Sequence, residues 1–162
     1  MEKNTDFFLD EKASLQRLLT EYETYSRLAI GFDFDDTVHD FHKRGSTHEK
    51  VILLLRDLKD IGCYCYCWTA HPDLVYVRQY LETNDIPCDG INTDSYIPLG
   101  WSSRKPFYSA ILDDRSGLLQ VYNDLTALVT IVKSKKNGEL SGRICDEQSD
   151  NRAPGQEERG EV

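Results

Sequence analysis

Two hydrophobic rhythms alternate along this chain. Over residues 6–28, Leu15, Leu18, Leu19, Tyr22 and Tyr25 recur at three- and four-residue spacing among Glu, Gln, Lys and Arg, the pattern of an amphipathic helix. "LAIGFDF" then breaks that period with a short apolar run ending in acid, the pattern of a buried strand. The helical period returns in "STHEKVILLLRDLKDIG", where Ser46 or Thr47 is the expected N-cap, Glu49 sits in the first turn and Gly62 closes the helix. "CYCYCWTA" predicts a second strand, and "HPDLVYVRQYLETNDI" a crossover helix with Pro72 in its first turn. A short strand is expected within "IPCDGINTD" and a fourth in "YSAILDD", which ends in acid. "GLLQVYNDLTALVTIV" reads as a final helix, followed by an edge strand near residues 129–132.

Strands alternating with helices of this length predict an α/β fold with a central parallel sheet covered on both faces, a three-layer arrangement. Ligands of such sheets bind beyond the carboxyl ends of the strands. The first strand ends in Asp33, the second in Thr69 and the fourth in Asp113 and Asp114, so three strand ends would deliver polar groups to one rim. The expected division is an N-terminal helix over residues 1–28, a core domain over 29–133 and a polar, disordered tail over 134–162.

Composition narrows this only a little. A chain of 162 residues with 40% apolar and 29% charged residues suits one globular domain with a sizeable core. The net charge of −9 and a pI near 4.9 argue against non-specific attraction to nucleic acid, although Arg104, Lys105 and Arg115 could form a local basic patch. No apolar run approaches the roughly 18 residues of a membrane span, and the polar start is unlike a signal peptide, so a cytoplasmic location without membrane partners is expected. Of the five cysteines, Cys63, Cys65 and Cys67 alternate within the second strand and would share one face as small apolar residues. None has the spacing of a zinc site.

The stretch "AIGFDFDDTVHD" gathers Asp33, Asp35, Asp36 and Asp40 behind the first strand. Carboxylates two apart at a strand end can reach one rim, so one can serve as nucleophile and the other as acid/base. A hard cation such as Mg²⁺ needs only one or two carboxylates and would relieve their repulsion. Asp113 and Asp114 could supply the rest, a lysine could neutralise an anionic substrate, and the Thr69 hydroxyl could donate to a phosphoryl oxygen. These parts suit phosphoryl transfer, in which positioning and charge neutralisation do most of the catalysis.

The same residues resemble the haloacid dehalogenase (HAD) superfamily. "DFDDTV" resembles its first motif, "CYCWT" its second and "RKPFYSAILDDR" its third and fourth, in the family's order over residues 29 to 120. The resemblance implies a Rossmann-like, HAD-like fold and a Mg²⁺-dependent phosphatase. In it Asp33 attacks phosphorus to form an aspartyl-phosphate, and Asp35 protonates the leaving oxygen and then deprotonates water. It further implies that Thr69 and Lys105 hold the phosphoryl group. Asp33, the Asp35 backbone carbonyl and one of the Asp113/Asp114 pair would hold Mg²⁺, with Asp114 favoured as direct ligand and Asp113 as its support. An acid at Asp35 favours a phosphatase over transport ATPases and dehalogenases.

Three features depart from the family pattern. Asp36 stands where members often have Gly, at a turn that can need positive φ, which Asp tolerates better than most residues. Lys105 precedes Asp113 by a short interval. The loop "HDFHKRGSTH" and the segment 85–104 leave no room for a large cap domain, so the site is expected to be open. A nucleotide or other small phosphoester is the expected substrate. The alternatives are a macromolecular end (a polynucleotide 3′-phosphate or a phosphoprotein) and a non-catalytic binding or regulatory role. His39, His42 and His48 read as solvated loop histidines, with His39 or Arg44 as substrate contacts, and Asp40 has no assigned role.

Overall fold

All four residues of the strand Ala29–Phe32 are buried, because this strand lies inside the sheet with a neighbour on each side. The protein is described by a computed structural model over residues 10–93 and 107–149, without the side chains of Glu11 and residues 139–149. The elements run α1 (Glu11–Tyr25), β1 (Ala29–Phe32), α2 (Glu49–Asp60), β2 (Tyr64–Cys67), α3 (Leu74–Thr83), β3 (Gly90–Ile91), β4 (Ala110–Leu112) and α4 (Leu118–Ser149). The four strands form a parallel sheet of order β3-β2-β1-β4, which makes the fold α/β. Ile30 is level with Cys65 and Ala110, and Phe32 with Cys67 and Leu112.

That register puts Ile30, Phe32, Cys65, Cys67, Ala110 and Leu112 on one face. The face meets α2, whose Leu55 carbonyl lies 3.9 Å from Cys65 Sγ. Buried positions Val51, Leu54, Leu55 and Leu58 make α2 amphipathic. On one flank Arg56 of α2 donates to Asn84 O and Asp85 O at the end of α3. On the other, Asp57 pairs with Lys133 of α4 at 2.6 Å. The α1 helix joins the same layer, since Tyr22 donates to Ile61 O at the end of α2 and Lys135 of α4 pairs with Glu23. None of the described helices forms the second covering layer, although Ala29 and Tyr66, which point to the opposite face, are buried.

Several expected boundaries are corrected. The first helix starts at Glu11, because Asp10 caps it by accepting the Lys12 N–H at 2.8 Å, and it stops at Ser26, which turns to φ +57°. Neither Ser46 nor Thr47 occupies the α2 cap position, although Thr47 Oγ1 accepts the Glu49 N–H at 3.5 Å. His48 occupies it, at φ +51° and without a side-chain capping bond. In the next crossover Pro72 precedes the helix, whose cap is Asp73, accepting from Val75 and Tyr76. Residues 129–132 form no edge strand but lie within α4, where Leu125, Leu128, Val129 and Val132 line its buried side. Their three- and four-residue spacing overrides the β-preference of Val and Ile. The helix also runs through the expected start of the polar tail at 134 and is described as far as Ser149, the rest of that expected tail, 150–162, lying outside the described residues. Among the described residues, no helix is long and apolar enough to cross a membrane.

Candidate active site

The carboxyl ends of β1 and β4 lie side by side, tied by the Asp33 N–H donating to Leu112 O at 2.9 Å. This pairing brings carboxylate oxygens of Asp33, Asp113 and Asp114 all within 4.8 Å of one another. Burial, reinforced by the charges of Asp113, Asp114 and Asp35, pushes the Asp33 carboxyl up to about 6, with a hydrogen bond from the Phe34 backbone in partial opposition. The fully buried Thr37 accepts the Asp114 N–H at 3.2 Å, joining the two strand ends a second time. Asp113 Oδ1 accepts the Arg115 N–H at 2.8 Å. These three carboxylates, with Asp35, Asp36, Phe41, His42 and Arg115, line a cleft of about 270 Å³.

A groove of similar size, about 280 Å³, lies between α1, the end of α2 and α4, but Leu19, Tyr22, Ile61 and Val132 dominate it. Glu23 is the one carboxylate among the residues lining it.

Asp35 and Asp36 sit in a closed turn after β1. Asp36 occupies φ +55°, as expected for a residue in a glycine-like position, and its N–H donates to His39 O at 2.7 Å. The turn folds His39 back so that its N–H reaches Phe34 O and its Nδ1 lies 3.2 Å from Asp35 Oδ1. His39 is therefore not a solvated loop histidine. Its ring stacks on Phe34 at 4.7 Å and its side chain is only 17% exposed. His42 pairs through Nδ1 with Asp36 and also donates its N–H to that carboxylate. Burial raises the Asp36 pKa, but these His42 bonds outweigh it and hold the carboxyl below its usual range.

Asp40 gains a structural role. It accepts N–H bonds from Arg44, Gly45 and Ser46 at 2.9, 2.7 and 3.2 Å, and the Arg44 N–H above all keeps its carboxyl below the usual range. Asp36, Asp40 and His48 also bring ligand atoms within 4.8 Å of one another, but both carboxylates are already engaged in holding the loop. Arg44 does not line the cleft.

Thr69 is 8% exposed at the end of the second strand's run, and its neighbour Ala70 borders the cleft. Asn92 clamps it from both sides, accepting the Thr69 N–H and donating to Thr69 O, each at 2.8 Å. Thr69 Oγ1 accepts the His71 N–H at 3.0 Å. The expected phosphate ligand Lys105 and its neighbour Arg104 lie outside the described residues. Sequence reasoning assigned no part to Asn92, Thr37 or Phe41. Of these only Thr37 had a signal, as the threonine of "DFDDTV".

No family model matches this chain, and no curated protein does. Among solved structures, a conserved protein from Bacteroides thetaiotaomicron is similar, with a TM-score of 0.50 and 19% identity, over 67% of this chain and 92% of that one. At that identity the likeness speaks for a shared α/β fold alone.

Proposed function

We propose that this chain is a Mg²⁺-dependent phosphomonoester hydrolase of the capless, Rossmann-like haloacid dehalogenase type. The observation that carries the reading is the convergence of Asp33, Asp113 and Asp114 from two adjacent strand ends, with ligand atoms within 4.8 Å. A set of hard oxygen donors suits Mg²⁺, and the Asp33 carboxyl, raised first by burial and further by the charges of Asp113, Asp114 and Asp35, sits where a cation would offset that crowding. Asp33, the Asp35 carbonyl and Asp113 or Asp114 would hold the ion. Bound there, Mg²⁺ would neutralise part of the negative charge of the carboxylates and of an arriving phosphoryl group.

In this reading a carboxylate oxygen of Asp33 attacks phosphorus and the ester P–O bond breaks. The departing oxygen takes a proton from Asp35, which leaves an aspartyl-phosphate. Asp35, now ionised, removes a proton from the water that hydrolyses this intermediate, releasing phosphate and restoring Asp33. Thr69, with Lys105 beyond the described residues, would steady the phosphoryl group, and Arg115 at the cleft is a further cation for it. The short loop between β1 and α2 supports an open site, and the net charge of −9 favours a small phosphoester such as a nucleotide over a nucleic-acid end.

The test is hydrolysis of a panel of phosphomonoesters with and without Mg²⁺, alongside Asp33→Asn. Turnover that needs the metal and is lost in the variant supports the reading. A panel without metal-dependent turnover in the wild type leaves the non-catalytic alternative.

A further inference from the structure

We propose that His39 is a positioning residue for the proton-transfer step, held by Tyr76 and acting on the Asp35 carboxyl. The inference rests on the phosphatase reading and deepens it. Three observations carry it. First, the turn after β1 is closed by backbone bonds (Asp36 N–H to His39 O, His39 N–H to Phe34 O) that fix His39 beside Asp35 whatever its side chain does. Second, the imidazole bridges two partners: Nδ1 lies 3.2 Å from Asp35 Oδ1, and Nε2 lies 3.1 Å from the Tyr76 hydroxyl. Third, aromatic rings hold the imidazole. Phe34 stacks against it at 4.7 Å, while Tyr80 and Tyr76 meet it edge-on at 4.9 and 5.7 Å.

The chemistry follows from donors and acceptors. An ionised carboxylate oxygen can only accept, so Nδ1 carries the hydrogen in the Asp35 contact, and Nε2 is left to pair with the Tyr76 hydroxyl, as acceptor when the ring holds a single hydrogen. While Nδ1–H donates to Oδ1, a proton carried by Asp35 resides on Oδ2. His39 thereby selects the oxygen that delivers the proton and restrains rotation of the carboxyl. The arrangement also reaches the phosphate-binding side. Tyr76 stacks on His71 at 5.5 Å, and the His71 N–H donates to Thr69 Oγ1. Proton donor and phosphate-binding threonine are thus held by one aromatic cluster.

General acid help matters for a poor leaving group and little for a good one. The experiment measures kcat/KM, which reports the first phosphoryl transfer, with an alkyl phosphate and with 4-nitrophenyl phosphate in Mg²⁺. His39→Phe keeps a ring against Phe34 but removes the donor. It is expected to lower kcat/KM for the alkyl ester about tenfold or more, and for the nitrophenyl ester by less than about threefold. His39→Asn, with an amide N–H near the position of Nδ1, is expected to recover most of the alkyl-ester activity. Tyr76→Phe, which deletes one hydroxyl from a partly exposed ring, should show a weaker loss with the same selectivity. Equal losses on both esters, or unchanged kinetics in His39→Phe and Tyr76→Phe, would overturn the positioning role while leaving the phosphatase reading intact. Absence of Mg²⁺-dependent turnover of either ester by the wild type overturns both.

Discussion

Asn92 holds Thr69 by both ends of its peptide, accepting its N–H and donating to its carbonyl at 2.8 Å each. Asn92 itself sits at φ +49°, a conformation that Asn and Gly adopt more readily than other residues. Asn92→Ala breaks both bonds and adds backbone strain, whereas Asn92→Gly breaks the bonds but accepts the backbone. Both are expected to destabilise the fold by about 1–3 kcal/mol, Gly by less than Ala. Denaturant titration measures this. If both match the wild type, the clamp contributes nothing to stability.

Asp33 should make stability depend on pH. Its carboxyl is raised to about 6, above the ordinary carboxylate range of an unfolded chain. The folded state therefore binds the proton more tightly, and the stabilisation this gives is complete below pH of about 4. It is lost as pH rises through about 6. Without divalent metal, Asp33→Asn should exceed the wild type in stability at pH 7.5 by about 1–2 kcal/mol after allowance for solvent screening, with the gap shrinking toward pH 4. Thermal melts of both proteins in chelator across this range decide it, and a gap that does not change with pH rules it out.

Metal addition should reverse that order. If Asp33, Asp113 and Asp114 hold Mg²⁺, saturating metal raises wild-type stability by about 2.7 kcal/mol at a hundredfold excess over Kd. The same addition should leave Asp33→Asn nearly unmoved. Asp113→Asn and Asp114→Asn separate ligand from support, since loss of the direct ligand weakens the Mg²⁺ response more. A wild-type melting temperature indifferent to Mg²⁺ would exclude the site.

Asp40 gives a local prediction. Its carboxyl is held below the usual range by the N–H groups of Arg44, then Gly45 and Ser46. The loop is therefore most firmly closed above the ordinary carboxylate pKa, and closure is lost as pH falls through the lower folded value. Amide exchange at Arg44, Gly45 and Ser46, corrected for intrinsic rates, should speed up in acid. Asp40→Ala should show that faster exchange already at neutral pH.

The sheet was readable in the chain because its strands carry local patterns. The alternation of Cys63, Cys65 and Cys67 identified a face, and that face is buried, with burial also pushing the Cys63 thiol up to about 11. The acidic strand ends were readable for the same reason, since a strand's direction determines where its last residue lies. Asn92 was not readable, because its bond to Thr69 spans 23 residues and exists only once β3 pairs with β2. His39 was misread because loop composition suggests solvent, while the turn that folds it under Phe34 depends on one positive φ at Asp36. Residues 129–132 were misassigned because local β-preference was weighed without the helical spacing of Leu125 and Leu128.

The strand order β3-β2-β1-β4 also implies an order of assembly. β1 finds β2 across a single crossover helix, but it meets β4 only after much more chain is in place, as the 80-residue separation of Ala29 and Ser109 shows. Closing the longer loop costs more entropy, so β4 is the later strand to dock. Asp113 and Asp114 arrive with it, and until then Asp33 faces no second carboxylate pair. On that order the crowded charge would be assembled only after β1 and β2 have paired, with part of the sheet already in place to hold it.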